Sequence, residues 1–220
     1  MITEHHGHQD IIKSPEGMYE TIRKLGIVPF FVNAIPDFSV EELTPEELWF
    51  NDDELGPWDW KIHVVESGDI AYGKFLCGGK SAFATAEWYR ELMNYRRALP
   101  KYSPEGLQTT ALDAIMEAGG LTTKELRKIC GLNKSRMDGI MTKLQMGTRV
   151  IIGAFESQYR GEDLHYSGWQ LASFCTPDDF FEDFDMSVGH SPKESGERIF
   201  EHLRELAPQA GEKQLWKTIG

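Results

Sequence analysis

The chain has 220 residues, 40% hydrophobic and 26% charged, which is the composition of a folded globular protein and excludes a disordered one. It has no apolar run of the roughly 18 residues that a membrane-spanning helix needs. The polar segment 1–24 carries no secretory signal, so we expect a cytoplasmic protein without membrane contact. The three cysteines, Cys77, Cys130 and Cys175, lack metal-ligand spacing, and we expect reduced, buried thiols and neither a metal nor a cofactor.

The net charge of −12 is unevenly distributed along the chain. Residues 1–60 hold 13 acids and 3 bases, and residues 158–220 hold 12 acids and 6 bases, so both ends are acidic. Residues 61–103 hold 4 acids and 7 bases, and residues 104–157 hold 6 acids and 7 bases. We therefore expect a polyanion to bind only the middle of the chain, with a merely solubilising surface as the open alternative.

Cap and breaker residues define the first elements. Ser14-Pro15 begins a helix that Gly26 ends, and Thr44-Pro45 begins a second helix. Pro29 argues against a central strand in the apolar run 27–31.

The region 58–84 predicts a three-stranded antiparallel meander. Its strands are expected at 62–65, at 70–76 and around 82–83, with Gly78-Gly79 as the turn before the third. Helical spacing of Trp88, Leu92 and Tyr95 then predicts a helix ending at Arg96-Arg97.

Residues 104–175 predict a winged helix-turn-helix. A first helix ends before Gly119-Gly120, a second runs from a Thr122 or Thr123 cap to Gly131, and a third follows the turn at 132–133. Strands at 149–155 and 168–174 around the loop 157–167 complete the order. The side chains expected inside the three helices are Leu107, Ala111, Leu112, Ile115, Leu126, Ile129, Met137, Ile140, Met141 and Leu144.

In such a fold the third helix enters the major groove of DNA. Asp138 weakens its basic character, and Arg160 in the loop is opposed by Glu162 and Asp163. The residues predicted to contact nucleic acid are Lys134, Arg136, Thr142 and Lys143 on the third helix, Lys61, Lys74 and Lys80 in the meander, and Arg96 and Arg97 after it.

The cluster Trp58-Asp59-Trp60-Lys61 suggests base stacking. Trp58, Trp60 and Tyr72 are candidates to stack on an unpaired base, and Asp59 is the candidate catalytic carboxylate. Packing at a strand edge, with Asp59 facing solvent, is the alternative.

Ordered short motifs carry a resemblance to a known family. They are Gly26-Ile27-Val28-Pro29-Phe30-Phe31, Leu48-Trp49-Phe50, Pro57-Trp58-Asp59-Trp60-Lys61, Ala71-Tyr72-Gly73-Lys74-Phe75 with Gly79-Lys80, Glu87-Trp88-Tyr89, Asn94-Tyr95-Arg96-Arg97, Leu121-Thr122-Thr123-Lys124-Glu125-Leu126 and Leu144-Gln145. Over residues 15–176 the chain resembles AlkZ-related bacterial proteins of the YcaQ-like winged helix DNA-binding family. The resemblance implies a DNA partner and a role in base repair. AlkZ-type DNA glycosylases use a Gln-x-Gln pattern, or a variant with Asp second, and none of the seven glutamines here stands in it.

The predicted fold class is α+β. It comprises a flexible N-terminus (1–14), an N-terminal α/β subdomain with the meander (15–100), the winged helix domain (101–176) and an acidic, helical C-terminal tail (177–220). We expect the tail to pack on the domain. The alternatives are that it contacts a second subunit or that its acidic residues mimic DNA. The leading hypothesis is a DNA-binding protein, and the alternative is a non-enzymatic module that contacts protein.

Overall fold

The computed structural model describes residues 11–49, 55–157 and 170–220, together with the backbone of two short strands at 159–160 and 165–166. Two 3₁₀ turns lie at Glu46–Leu48 and Pro100–Tyr102. The elements of the first part of the chain are α1 (Pro15–Leu25), β1 (Ile27–Pro29), α2 (Val40–Leu43), α3 (Pro57–Glu66), β2 (Ile70–Leu76), β3 (Lys80–Thr85) and α4 (Ala86–Arg97). Those of the second part are α5 (Leu107–Ala118), β4 (Leu121–Thr122), α6 (Thr123–Cys130), α7 (Lys134–Met146), β5 (Ile151–Glu156), β6 (Tyr159–Arg160), β7 (His165–Tyr166), β8 (Leu171–Cys175), α8 (Pro177–Phe180), α9 (Pro192–Leu206) and α10 (Glu212–Ile219).

Strands from both parts of the chain form one antiparallel sheet. Its order is β1-β3-β2-β5-β8-β4, and the pair Tyr72↔Ile152 joins β2 to β5. The edge position of β1 fits Pro29, which cannot donate a ladder hydrogen bond. The protein is therefore a mixed α+β fold, in which the predicted N-terminal and winged helix portions share a sheet.

Local capping explains why several predicted helices form where expected. The Ser14 hydroxyl accepts a hydrogen bond from the Gly17 N–H at 3.0 Å and begins α1. Thr122 and Glu125 form a reciprocal capping box at the start of α6, and the Asn133 side chain caps α7. These caps satisfy N–H groups that have no partner within their own helix.

The first strand predicted for the meander is wrong. Residues 62–65 belong to helix α3, which Pro57 begins and whose first turn holds Asp59. Trp60 and Val64, four residues apart, are both buried on one face of this helix. The helical period therefore overrides the β propensity of the β-branched residues. The other two strands and the Gly78-Gly79 turn are confirmed as β2, β3 and their connection.

Three smaller expectations also need correction. The helix predicted at Thr44-Pro45 is only a 3₁₀ turn at Glu46–Leu48. Leu107 and Ile129, expected inside their helices, are exposed by 40% and 53%. Ile12, placed in the flexible N-terminus, is buried, and its N–H donates to the Leu43 carbonyl at 2.8 Å. The rest of that prediction, for residues 1–10, lies outside the described residues.

The C-terminal helices pack against the N-terminal part of the fold. Ile199 and Leu203 of α9 and Ile219 of α10 belong to the same hydrophobic core as α1 and strands β1 to β3. A second core lies between α5, α6, α7 and β8, and contains Ile115, Leu126 and Met141. Packing of the tail on the domain is thus the interpretation that the burial supports.

A buried arginine connects these parts. Arg96, fully buried near the end of α4, donates from Nη1 to the Met146 carbonyl at 2.9 Å and from Nε to the Ile219 carbonyl at 3.0 Å. Met146 and Ile219 are the last residues of α7 and α10. The guanidinium therefore links the ends of three helices, and its burial lowers the pKa of Arg96 to about 10.

Replacing Arg96 by Met is expected to destabilise the protein by about 2–5 kcal/mol, because two carbonyls at helix ends lose their charged donor. Urea denaturation followed by far-ultraviolet circular dichroism measures the effect. The matched control is Arg90→Met on the same helix, since the Arg90 guanidinium lies over the exposed Phe184 ring. Equal losses in the two variants would contradict the linking role of Arg96.

Candidate nucleic-acid interface

Helix α7 presents a basic face on the side away from the core. Met137, Met141 and Leu144 are buried against α5 and α6. Lys134, Arg136 and Lys143 are exposed. Because the buried residues recur with the helical period, Arg136 and Lys143, seven residues apart, share the side away from the core, whereas Lys134 points about 200° from Arg136 and is exposed because it begins the helix.

Helices α6 and α7 together form a basic region in an acidic protein. Residues 123–146 contain six bases and two acids, a formal charge of +4 against −12 for the whole chain. Lys124 and Lys128, four residues apart on α6, are exposed and share one side of that helix. Their contribution was visible in the sequence as a charge cluster, but it did not enter the predicted set.

The β2–β3 hairpin covers the C-terminal half of α7. A Cβ atom at Gly79 would lie 3.0 Å from the Thr142 Cγ2 atom, and Gly79 has a φ of +94°. The Gln145 side chain is buried, and it accepts a hydrogen bond from the Lys74 N–H at 2.9 Å. Thr142 therefore packs against the hairpin and is only partly accessible, whereas the N-terminal half of α7 stays free.

Lys74 and Lys80 are exposed on the hairpin, as a phosphate contact requires. The Lys80 amine also donates to the Val32 carbonyl at 2.9 Å. Arg97 is half-buried, and its Nη2 donates to the Thr148 carbonyl at 2.8 Å. Arg96 is fully buried, so in this conformation it supports the fold and cannot reach DNA.

The three aromatic stacking candidates separate in the structure. Trp58 is 46% exposed, but Trp60 and Tyr72 are buried. The Trp60 indole N–H donates to the Leu55 carbonyl at 2.8 Å, and the Tyr72 ring packs against that of Phe83 with centroids 4.8 Å apart and planes tilted by 32°. Burial removes Trp60 and Tyr72 as stacking surfaces, because a base cannot reach either ring.

Other aromatic rings surround Trp58. Phe31 lies 5.5 Å from it and Trp49 lies 6.3 Å from Phe31, measured between ring centroids. The buried Phe30 meets Trp58 edge-on at 5.8 Å. Phe31 and Trp49 stand in the quoted family motifs, yet their position beside Trp58 depends on long-range packing that no local pattern predicts.

Lys61 reaches across this group of rings. Its amine lies 5.0 Å from the Trp58 ring centroid and 5.1 Å from that of Phe155, and it donates to the Trp58 carbonyl. Burial lowers the pKa of the Lys61 amine to about 8, and the nearby negative charge of Asp59 partly opposes that shift. Asp59 itself is exposed in the first turn of α3.

A serine, a histidine and a glutamate meet between α4 and α9. The Ser195 hydroxyl donates to Glu91 Oε2 at 2.6 Å, and His190 Nε2 lies 2.7 Å from the same oxygen and 3.1 Å from the hydroxyl. A catalytic relay uses the two imidazole nitrogens for two different partners, whereas a single nitrogen makes both contacts here. Ser195 is also fully buried, so the group joins two helices and does not act as a nucleophile.

Other parts of the surface do not suit a polyanion. A groove of about 850 Å³ has five acidic side chains and no basic one in its lining, and would repel a polyanion. Within the described ranges, no group of three or more histidine, cysteine or carboxylate side chains is arranged to hold a metal ion. No helix of the described residues is both long and apolar enough to cross a bilayer. The acidic residues of the groove are Glu66, Asp69, Asp179, Glu182 and Asp183.

Comparison with known protein families gives one finding. Residues 12–220 match the family described as AlkZ related. No curated protein and no solved structure matches the chain. The family match covers both the sheet and the C-terminal helices.

Glu91 makes the stability of the protein depend on pH. Burial by itself raises the pKa of Glu91. Hydrogen bonds from Ser195 and His190, and the charges of His190 and Arg198, outweigh that effect and hold the pKa below its ordinary value of 4.5. A lowered folded-state pKa stabilises the protein above pH 4.5, and this stabilisation is lost as the pH falls through the folded-state value.

Glu91→Gln is therefore expected to flatten the acid side of the curve of unfolding free energy against pH. Urea denaturation across acidic and neutral pH measures it. Glu87→Gln, an exposed position on the same helix, is expected to keep the wild-type curve. A Glu91→Gln curve as steep as that of the wild type would contradict the role of this carboxylate.

The Lys61 amine is expected to become reactive near pH 8 in the folded protein and near pH 10.5 in the urea-unfolded chain. Competitive acetylation with mass spectrometry over a pH series gives both midpoints. Asp59→Asn is expected to lower the folded midpoint further, because it removes the opposing negative charge. Identical midpoints in the folded and unfolded chains would refute the burial of this amine.

Proposed function

Because this chain belongs to the AlkZ-related family, we propose that it is a DNA-binding protein whose residues 101–176 form a YcaQ-like winged helix-turn-helix. The element order supports the proposal: α5 is followed by a short strand, by two helices and by the paired strands β5 and β8, with β6 and β7 between those two in the chain. The three strands lie in the order β5-β8-β4, so the short strand between the first two helices pairs with the last strand. In this interpretation α7 is the recognition helix.

The exposed basic face of α6 and α7 carries the proposal. Recognition helices contact base edges mainly with their N-terminal residues. Lys134 and Arg136 lie in the first turn of α7, where the positive end of the helix dipole adds to the attraction of phosphate. The hairpin covers Thr142 farther along, so the accessible part of the helix is the part that such a docking uses. Lys74 and Lys80 extend the basic surface onto the hairpin.

The proposal concerns binding and a role connected with base repair, and it includes no catalytic step. The Gln-x-Gln pattern is absent from the sequence. Asp59, the carboxylate predicted for catalysis, is exposed to solvent. General bases in enzymes usually have their pKa tuned by burial and neighbouring groups, so an exposed carboxylate is a weak basis for a mechanism.

A protein-contact module is the second candidate. Met116 on α5 and Ile129 on α6 are exposed by 60% and 53%, although both are large apolar side chains. Exposed apolar groups suit a protein partner better than a phosphate backbone. Salt separates the two candidates, because DNA binding weakens steeply with ionic strength and a hydrophobic interface does not.

The double variant Arg136→Ala/Lys143→Ala is expected to weaken binding of a duplex about tenfold or more, and to reduce the slope of log K against log salt by about 2. Fluorescence anisotropy of a labelled duplex over a salt series measures both. The control is Lys213→Ala/Lys217→Ala, which makes the same change in net charge at exposed positions of α10.

Three outcomes are informative. Loss of affinity in the α7 variant alone supports recognition by this helix. Equal losses in both variants would mean that binding follows net charge and not α7. No salt-dependent binding by the wild type, even at low salt, would refute the proposed DNA contact and favour the protein-contact module.

A further inference from the structure

An exposed group of aromatic side chains with lysines beside it lies outside the basic face of α7. We call Phe31, Trp49 and Trp58 the aromatic patch: Trp58 is exposed, and Phe31 and Trp49 are half-buried. Val32, next to Phe31, is also 47% exposed. Most large apolar side chains of the described residues lie in the core. A cluster of accessible aromatic rings therefore indicates a binding surface.

The rings of the patch are held in place before any ligand arrives. Phe30 is fully buried beneath them, with its ring centroid 5.8 Å from that of Trp58 and 5.4 Å from that of Trp49. The Lys61 amine also holds Trp58, because it lies over the Trp58 ring and donates a hydrogen bond to the Trp58 carbonyl. Binding to a surface that is already ordered loses little side-chain entropy.

Two amines flank the aromatic patch. The Lys61 amine lies over the Trp58 ring, and the Lys80 amine is held at the Val32 carbonyl, one residue from Phe31. A ligand that suits this surface combines a flat, stackable ring with a nearby negative charge. A nucleotide has both, since its base stacks on aromatic rings and its phosphate attracts lysines. An apolar peptide or a lipid tail carries no negative charge with which the amines could interact.

Strand β2 connects the aromatic patch to α7. Tyr72, underneath the patch, has its ring centroid 6.0 Å from that of Phe30, and two residues later the Lys74 N–H donates to Gln145 of α7. Two residues of a strand span about 7 Å, which is short compared with one turn of duplex DNA. Gln145 lies nine residues, about 14 Å of helix, beyond Arg136. A duplex of more than one turn is therefore long enough to contact both the N-terminal half of α7 and the patch.

We propose that the aromatic patch, with the amines of Lys61 and Lys80, binds a nucleobase that lies outside the base stack of DNA, either unpaired or turned out of the duplex. The inference rests on the proposed function, because α7 supplies the binding of the surrounding duplex. Stacking on the patch would offset part of the free energy that extrusion of the base costs. The protein would then prefer DNA with a mismatched, bulged or damaged position.

The test compares a fully paired duplex with the same duplex carrying one bulged 2-aminopurine. Wild-type protein is expected to bind the bulged duplex at least tenfold more tightly and to change the fluorescence of the 2-aminopurine, which reports stacking. Trp58→Ala and Trp58→Gln are expected to abolish that preference and leave the affinity for the paired duplex unchanged. Trp216→Ala is the matched control, because Trp216 is 39% exposed on α10 and stacks on Phe200.

The results distinguish the two proposals. A preference for the bulged duplex that both Trp58 variants lose, and Trp216→Ala keeps, supports the aromatic patch. Equal binding of bulged and paired duplexes by the wild type, or an unchanged preference in a folded Trp58 variant, overturns it while duplex binding by α7 stands. Failure of the wild type to bind either duplex would refute the proposed function itself. The Gln variant keeps a long, helix-compatible side chain in case the Ala variant unfolds.

Discussion

A single buried cation at Arg96 sets where three helices end relative to one another. Among the described residues its guanidinium has no carboxylate partner, and it is satisfied by the carbonyls of Met146 and Ile219 together with the face of the Tyr102 ring. The last carbonyls of a helix have no partner within the helix and carry its partial negative charge. Two helix ends directed at one guanidinium therefore supply the counter-charge that an acidic side chain would otherwise provide. The cost of burying Arg96 is offset only if α7 and α10 both end at that point.

This constraint explains which part of α7 is free to bind. The C-terminal end of α7 is fixed by Arg96, and its second half is covered by the hairpin through Gln145 and Gly79. The first turn and the outward side that carries Lys143 remain exposed. The helix is therefore anchored at its C-terminal end and, through Met137, against α5 and α6, and this keeps the basic N-terminal residues in a defined orientation. Precise orientation matters because base-edge contacts tolerate little misplacement.

Local signals in the sequence predicted most of the helices, and long-range packing decided what they could not. The caps at Ser14, Thr122 and Asn133 act within three residues, so they can be read directly. The error at α3 changed the candidate site more than the fold. In a strand, Trp58 and Trp60 would share a face, whereas two residues apart on a helix they point about 200° apart, so one is exposed and the other buried. The burial of Arg96 depends on Ile219, which lies 123 residues away, and no local pattern contains that information.

The acidic composition does not by itself oppose a DNA partner. At physiological ionic strength a charge is screened beyond about 8 Å, so a phosphate responds mainly to the groups nearest to it. At α6 and α7 those groups sum to +4. The hairpin adds Lys74 and Lys80, and on α3 the cation Lys61 stands with the acids Asp59 and Glu66. The acids of the groove lined by Glu66 and Asp179, and those of the exposed face of α9, lie on other surfaces, where they repel the same polyanion. Under the proposed function, opposite charges on separate surfaces would restrict a duplex to one face. The acids that give the protein its negative net charge would then help to orient the DNA.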